Sequence, residues 1–218
     1  MPVLLFESIA FGISLIAFIY GFFTVYLSNS PMYFKLMVSA VGCYTLEELW
    51  VIVNAICGVE NDTFSIRLIG IIGCYCTFLT ASSRGLTNLL GKDAVNKKTP
   101  KYAAFIAPLI IASIFALGLS KAQIHQGLFF IAILMLVFLP MVLDSYFELR
   151  SLLLPMDKKK MLKSIKLLNI LVLIQYVISL TYMLITGMNT LLVMDVISAI
   201  GMALIVIVSR KGALIWKA

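Results

Sequence analysis

Charge is scarce in this sequence. Aspartate, glutamate, lysine and arginine make up 12% of its 218 residues, against roughly 25% in an ordinary soluble domain. Hydrophobic residues make up 62%, and the mean hydropathy is +1.07. Such a composition predicts an integral membrane protein. Histidine occurs once, which excludes a zinc-dependent membrane hydrolase needing several ligands in register. No glycine-rich phosphate loop and no G-x-S-x-G is present, which removes a nucleotide site and a serine-hydrolase elbow. The last apolar run, TLLVMDVISAIGMALIVIVS, contains no lysine and cannot hold retinal as a Schiff base. Without a nucleophile and base or a ligand cluster, an enzyme is the least expected class, and neither a cofactor nor a metal is expected.

Cysteine adds no metal. Cys43, Cys57, Cys74 and Cys76 lie within or beside apolar runs, where cysteine behaves as a small hydrophobe. The C-x-C of Cys74 and Cys76 would point its thiols about 200° apart on a helix, and His125 supplies no nearby second ligand.

What the chain does have is long apolar runs. They predict an all-α bundle of seven transmembrane helices forming a single domain over 1–218, with spans at 3–27, 33–57, 65–90, 102–120, 124–147, 163–187 and 190–209. The breaks carry turn chemistry: SNSPMY, GVENDTFS and GMNT are rich in Gly, Asn, Ser and Pro, whereas SKAQIHQ is the weakest. Pro108 and Pro140 fall inside the fourth and fifth spans, where a missing backbone donor can kink a helix. The first run is too long for a signal peptide core and lacks a basic leader, so it is expected to be retained. No convincing similarity relates the first three spans to the last three.

The net charge of +7 does not point to nucleic acid. Its basic residues flank the spans, the pattern of topology signals and headgroup contacts. Lys35, the Lys92 to Lys101 group, the Arg150 to Lys166 group, and Arg210, Lys211 and Lys217 all fall on one side; Arg67 and Lys121 fall on the other, with Glu60, Asp62 and Glu7. The amino terminus is therefore predicted outside and the carboxyl terminus in the cytoplasm, most simply across the cytoplasmic membrane.

Against this background the stretch GCYTLEELWVIVNAICG is anomalous, because it puts Glu47 and Glu48 inside an apolar span. They lie ten residues from the outer end, about 15 Å deep and near the bilayer midplane. A lipid-exposed carboxylate there costs about 2.5–3.5 kcal/mol on insertion scales, so both are expected to face the bundle interior. Tyr44 neighbours both on the helix, and Asn54 shares a stripe with Glu47. Glu7 and Asp195, about 6–8 Å inside the outer boundary, extend an acidic path outward. In the sixth span Gln175, Tyr176, Ser179 and Tyr182 are expected to line the same cavity; the stripe Gly70, Cys74, Thr77, Ala81, Arg84 and Asn88 makes the third a packing helix. Arg84 lies near the inner end of its span, at a depth comparable to Asp144 and Glu148, and a gating ion pair among these three is the expected inner lock.

These features suit a small polytopic transporter or carrier, proton- or cation-coupled, with Glu47 and Glu48 as the binding carboxylates. The alternatives are a ligand-sensing receptor unit acting through a separate cytoplasmic partner protein, and an accessory subunit of a membrane complex. The partners expected are the lipid bilayer and a small-molecule or cation ligand, with a homo-oligomer compatible with any of these. A cysteine placed at Asn61 should label from outside intact cells, and a reporter fused after Ala218 should be cytoplasmic. Labelling at Asn61 only after permeabilisation would invert the orientation.

Overall fold

A computed structural model describes residues 2–57, 66–85, 102–121, 128–153, 160–181, 184 and 188–217. Asn61, Asn88, His125, Tyr182 and the lysine cluster at 158–159 lie outside the described residues. Within them, helix is the only regular structure, in seven elements: α1 (Pro2–Gly21), α2 (Met32–Cys57), α3 (Ile66–Thr80), α4 (Ile106–Lys121), α5 (Leu128–Leu152), α6 (Lys160–Thr181) and α7 (Met188–Lys217). Two helices end in a wider π-type turn, α1 through Phe22–Tyr26 and α3 through Ala81–Gly85. A short 3₁₀ turn, Ala103–Phe105, leads into α4.

Among the described residues, four segments are long and apolar enough to cross a membrane: Leu4–Tyr26, Met32–Asn54, Leu162–Thr181 and Thr190–Trp216. The break expected at SKAQIHQ falls mostly outside the described residues, which stop at Lys121 in α4 and resume at Leu128 in α5. Helix α7 runs eight residues beyond the apolar run that defines its span from sequence. Its last turns keep a buried side, where Gly212 and Ala213 lie inward and Gly212 packs on Phe34, while Arg210 and Lys211 face out. Pro108 falls in the first turn of α4, where a missing donor costs least, whereas Pro140 lies within α5, one turn before Asp144.

The helices form a closed circuit. Helix α1 packs against α2 and α7, α2 against α3, α3 against α5, α5 against α6, and α6 against α7; α4 sits against α5 and α6, and α2 also meets α7. Tyr33, Phe34, Phe78, Leu168, Met202 and Ile205 fill the core. The outer surface carries large apolar side chains such as Ile16, Ile56 and Leu109, as a lipid-facing bundle requires. The polar side chains Asp144, Glu148, Asn169 and Gln175 are inside.

At Gly70 the absence of a side chain lets α3 lie close against the backbone of α2. A Cβ on Gly70 would lie 2.9 Å from the Cys43 carbonyl oxygen and 3.0 Å from the Glu47 amide nitrogen, both fixed backbone atoms of α2. A Cβ on Gly12 would meet nothing within 4 Å. We therefore expect Gly70→Ala to lower stability by about 1–3 kcal/mol through overpacking, and Gly12→Ala to be neutral or stabilising by up to about 1 kcal/mol through helix propensity. Thermal unfolding in detergent measures both; equal effects would contradict the α2–α3 contact.

Candidate functional site

Among the described residues, four carboxyl groups are buried in the bundle: Glu47 and Glu48 on α2, and Asp144 and Glu148 on α5. A carboxylate placed in low dielectric without hydrogen bonds or a counter-charge costs several kcal/mol, so the residues around each one are informative.

Asp144 is well supplied. The Ser82 hydroxyl, in the π-type turn of α3, donates to its Oδ1, and the Tyr176 hydroxyl of α6 donates to its Oδ2. Three helices thus converge on one carboxyl. Tyr176 is held edge-on by Tyr75 (ring centroids 5.3 Å apart) and Phe78 (6.4 Å), both on α3. The Tyr75 hydroxyl in turn donates to Ser179 Oγ at 2.7 Å.

Glu148, one helical turn further along α5, has the opposite character. It is fully buried, and neither carboxyl oxygen has a hydrogen-bond partner among the described residues. Nearby, the Tyr33 hydroxyl donates to Asn169 Oδ1 at 2.7 Å and lies within electrostatic reach of both Glu148 and Asp144. Asn169 is also fully buried, and its Nδ2 has no partner among the described residues. Unused acceptors and an unused donor therefore share one interior region.

The α2 pair joins this region through side chains. Tyr44 is within hydrogen-bonding reach of Glu48 and of Ser198 on α7, and Ser198 accepts from Gln175 Nε2. The polar series Glu48, Tyr44, Ser198 and Gln175 thus runs from α2 by way of α7 to α6, where Gln175 precedes Tyr176 in the sequence. Cys74 lies within electrostatic reach of both Glu47 and Asp144. Gly201 leaves room for Gln175, whose Oε1 a Cβ there would meet at 2.8 Å.

Of the residues singled out from sequence, Tyr44, Glu47, Glu48, Asn54, Gln175, Tyr176, Asp144 and Glu148 are buried, and Glu7, Ser179 and Asp195 are half-buried. Arg84 is exposed, at the end of the π-type turn, while the two acids of the expected lock are inside. Tyr182 lies outside the described residues. Ser82, Tyr33, Tyr75 and Ser198 join the network without having been singled out. Helix α3, expected mainly to pack, contributes Ser82 and Tyr75 to it. Its buried face centres on Cys74, Tyr75 and Phe78, and the wide turn carries Ser82 inward. Adjacent serines in ASSRG gave no signal to tell the inward one from Ser83.

No protein-family model, no curated protein and no solved structure matches this chain.

A Tyr176→Phe and Asp144→Asn double-mutant cycle tests the network. The two groups touch, so we expect a coupling of about 0.5–3 kcal/mol in thermal stability in detergent. Strict additivity would remove their hydrogen bond.

Proposed function

We propose that this protein is a small membrane carrier, with seven crossings, an outward amino terminus and a cytoplasmic carboxyl terminus, in which binding of a proton or a metal cation at interior carboxyls is coupled to transport. The observation that carries this reading is Glu148: a fully buried carboxyl with no hydrogen-bond partner among the described residues, one turn from Asp144, which has two.

Side chains one helical turn apart sit about 5–6 Å apart at their Cβ atoms. Two ionised carboxylates at that separation in low dielectric repel strongly, and a single positive charge relieves both the repulsion and the desolvation cost. A proton does this at one oxygen. A cation such as Na⁺ would use several hard oxygens, and the carboxyls, Tyr33, Tyr176, Ser82 and the Asn169 carbonyl supply that donor type. The pair Glu47 and Glu48, reached through Tyr44, Ser198 and Gln175, forms the second station of the path. Because hydroxyls of α3 and α6 hold Asp144, a change in its charge alters the bonds between those helices and α5, which couples occupancy to helix position.

Protein reconstituted in liposomes containing a pH-reporting dye tests the reading directly, with Na⁺ or K⁺ gradients imposed across the membrane. We expect cation-driven proton movement with the natural chain. Glu148→Gln should lower it at least tenfold and Glu47→Gln should also lower it, both with melting temperatures close to that of the natural protein, since an amide keeps the size of the side chain. Proton movement equal to that of protein-free liposomes, or unchanged in Glu148→Gln, would overturn the proposal.

A further inference from the structure

Helices α1 and α2 leave between them a groove of about 420 Å³ that opens to the outside of the bundle. One wall is an aromatic ladder on α1: Phe18 and Phe22 have ring centroids 6.1 Å apart, and Phe22 stacks on Tyr26 at 5.3 Å with ring planes 13° apart. The opposite wall includes Leu46 and Leu49 of α2. Gly42 lies on the α2 side, and its missing side chain gives room to the Phe18 ring, which a Cβ would meet at 2.6 Å.

The two hydroxyls on the α2 side are turned to their own backbone. Ser39 Oγ donates to the Lys35 carbonyl at 3.0 Å and Thr45 Oγ1 to the Val41 carbonyl at 2.8 Å. The groove therefore presents apolar surface along its length. From Ser39 to Leu49 is ten residues of helix, about 15 Å, which is the thickness of one leaflet of a hydrocarbon core about 30 Å thick.

One end of the groove is charged. Lys35 lies one turn before Ser39 on the same side of α2, three residues into the helix, and its Nζ sits 6.0 Å from the centroid of the Tyr26 ring that closes this end. A cation over an aromatic face at the end of a leaflet-length apolar channel is complementary to a lipid with a negative headgroup.

The geometry points to a binding site for one phospholipid with an anionic headgroup: an acyl chain lies between α1 and α2 along the aromatic ladder, and the phosphate pairs with Lys35. The site is separate from the interior acids and does not depend on their function.

Native mass spectrometry of the delipidated full-length protein tests this, by titration with phosphatidylglycerol or with phosphatidylcholine of the same acyl chains. We expect one phosphatidylglycerol to bind several-fold more tightly than phosphatidylcholine. Lys35→Gln should weaken phosphatidylglycerol about fivefold, the worth of one basic residue beside an anionic surface, and leave phosphatidylcholine unchanged; Lys35→Arg should restore the preference. Leu46→Trp, which narrows the groove, should weaken both lipids. Equal affinity for the two lipids, or phosphatidylglycerol binding unaffected by both Lys35→Gln and Leu46→Trp, would overturn the site. A dimer that forms on delipidation and is lost in Leu46→Trp would assign the groove to a second copy of the chain and overturn it as well.

Discussion

The carboxyl of Asp144, held by the hydroxyls of Ser82 and Tyr176, is the contact on which the interior of this bundle depends. Helices in lipid gain little from the hydrophobic effect when they associate, because the acyl chains around them are as apolar as their own surfaces. Close packing and interior hydrogen bonds must therefore hold them. Here one acid joins α3, α5 and α6, and the ring of Tyr176 is fixed in turn by Tyr75 and Phe78. Removing either donor would leave part of a buried carboxyl unsatisfied, which is why the effects of these residues should not be independent.

That arrangement gives meaning to the contrast between two neighbouring acids on α5. Asp144 is satisfied by side chains of other helices; Glu148, equally buried, finds no hydrogen-bond partner among the described residues. A fold under no functional constraint would gain by replacing Glu148 with a packed apolar residue of similar volume, since such replacements of buried charges are often neutral or stabilising. Its presence is accounted for if a proton or cation occupies the site during the working cycle. The Glu47 and Glu48 pair extends the same logic toward α2, with Tyr44, Ser198 and Gln175 as the intervening polar side chains.

The all-helical class was legible in the sequence because a lipid environment demands long apolar runs. Burial of Glu47 and Glu48 was legible too, since an acid in the middle of such a run has nowhere else to go. The centre of the network was harder to read. Asp144 and Glu148 lie close enough to the Arg150 end of α5 to look like boundary residues, and only the packing of α3 and α6 around them makes them interior. Ser82 was hidden because a π-type turn changes the angular step per residue, so a stripe projected at 3.6 residues per turn from Gly70 runs to Arg84, which is exposed. Tyr33 stands at the second residue of α2, where a tyrosine is expected at the membrane interface; its bond to Asn169 spans 136 residues of sequence and has no local signal.

The most direct measurement is carboxyl modification in the intact membrane. An apolar carbodiimide reacts with protonated carboxyls sheltered in apolar surroundings, and peptide mass spectrometry locates the adduct. We expect Glu148 to be modified and Na⁺ or K⁺ to slow its modification while leaving adducts elsewhere unchanged, because the cation and the proton compete for the same oxygens. Modification of Glu148 at a rate independent of either cation, together with no effect of pH on that rate, would contradict a proton- or cation-binding role for the interior acids.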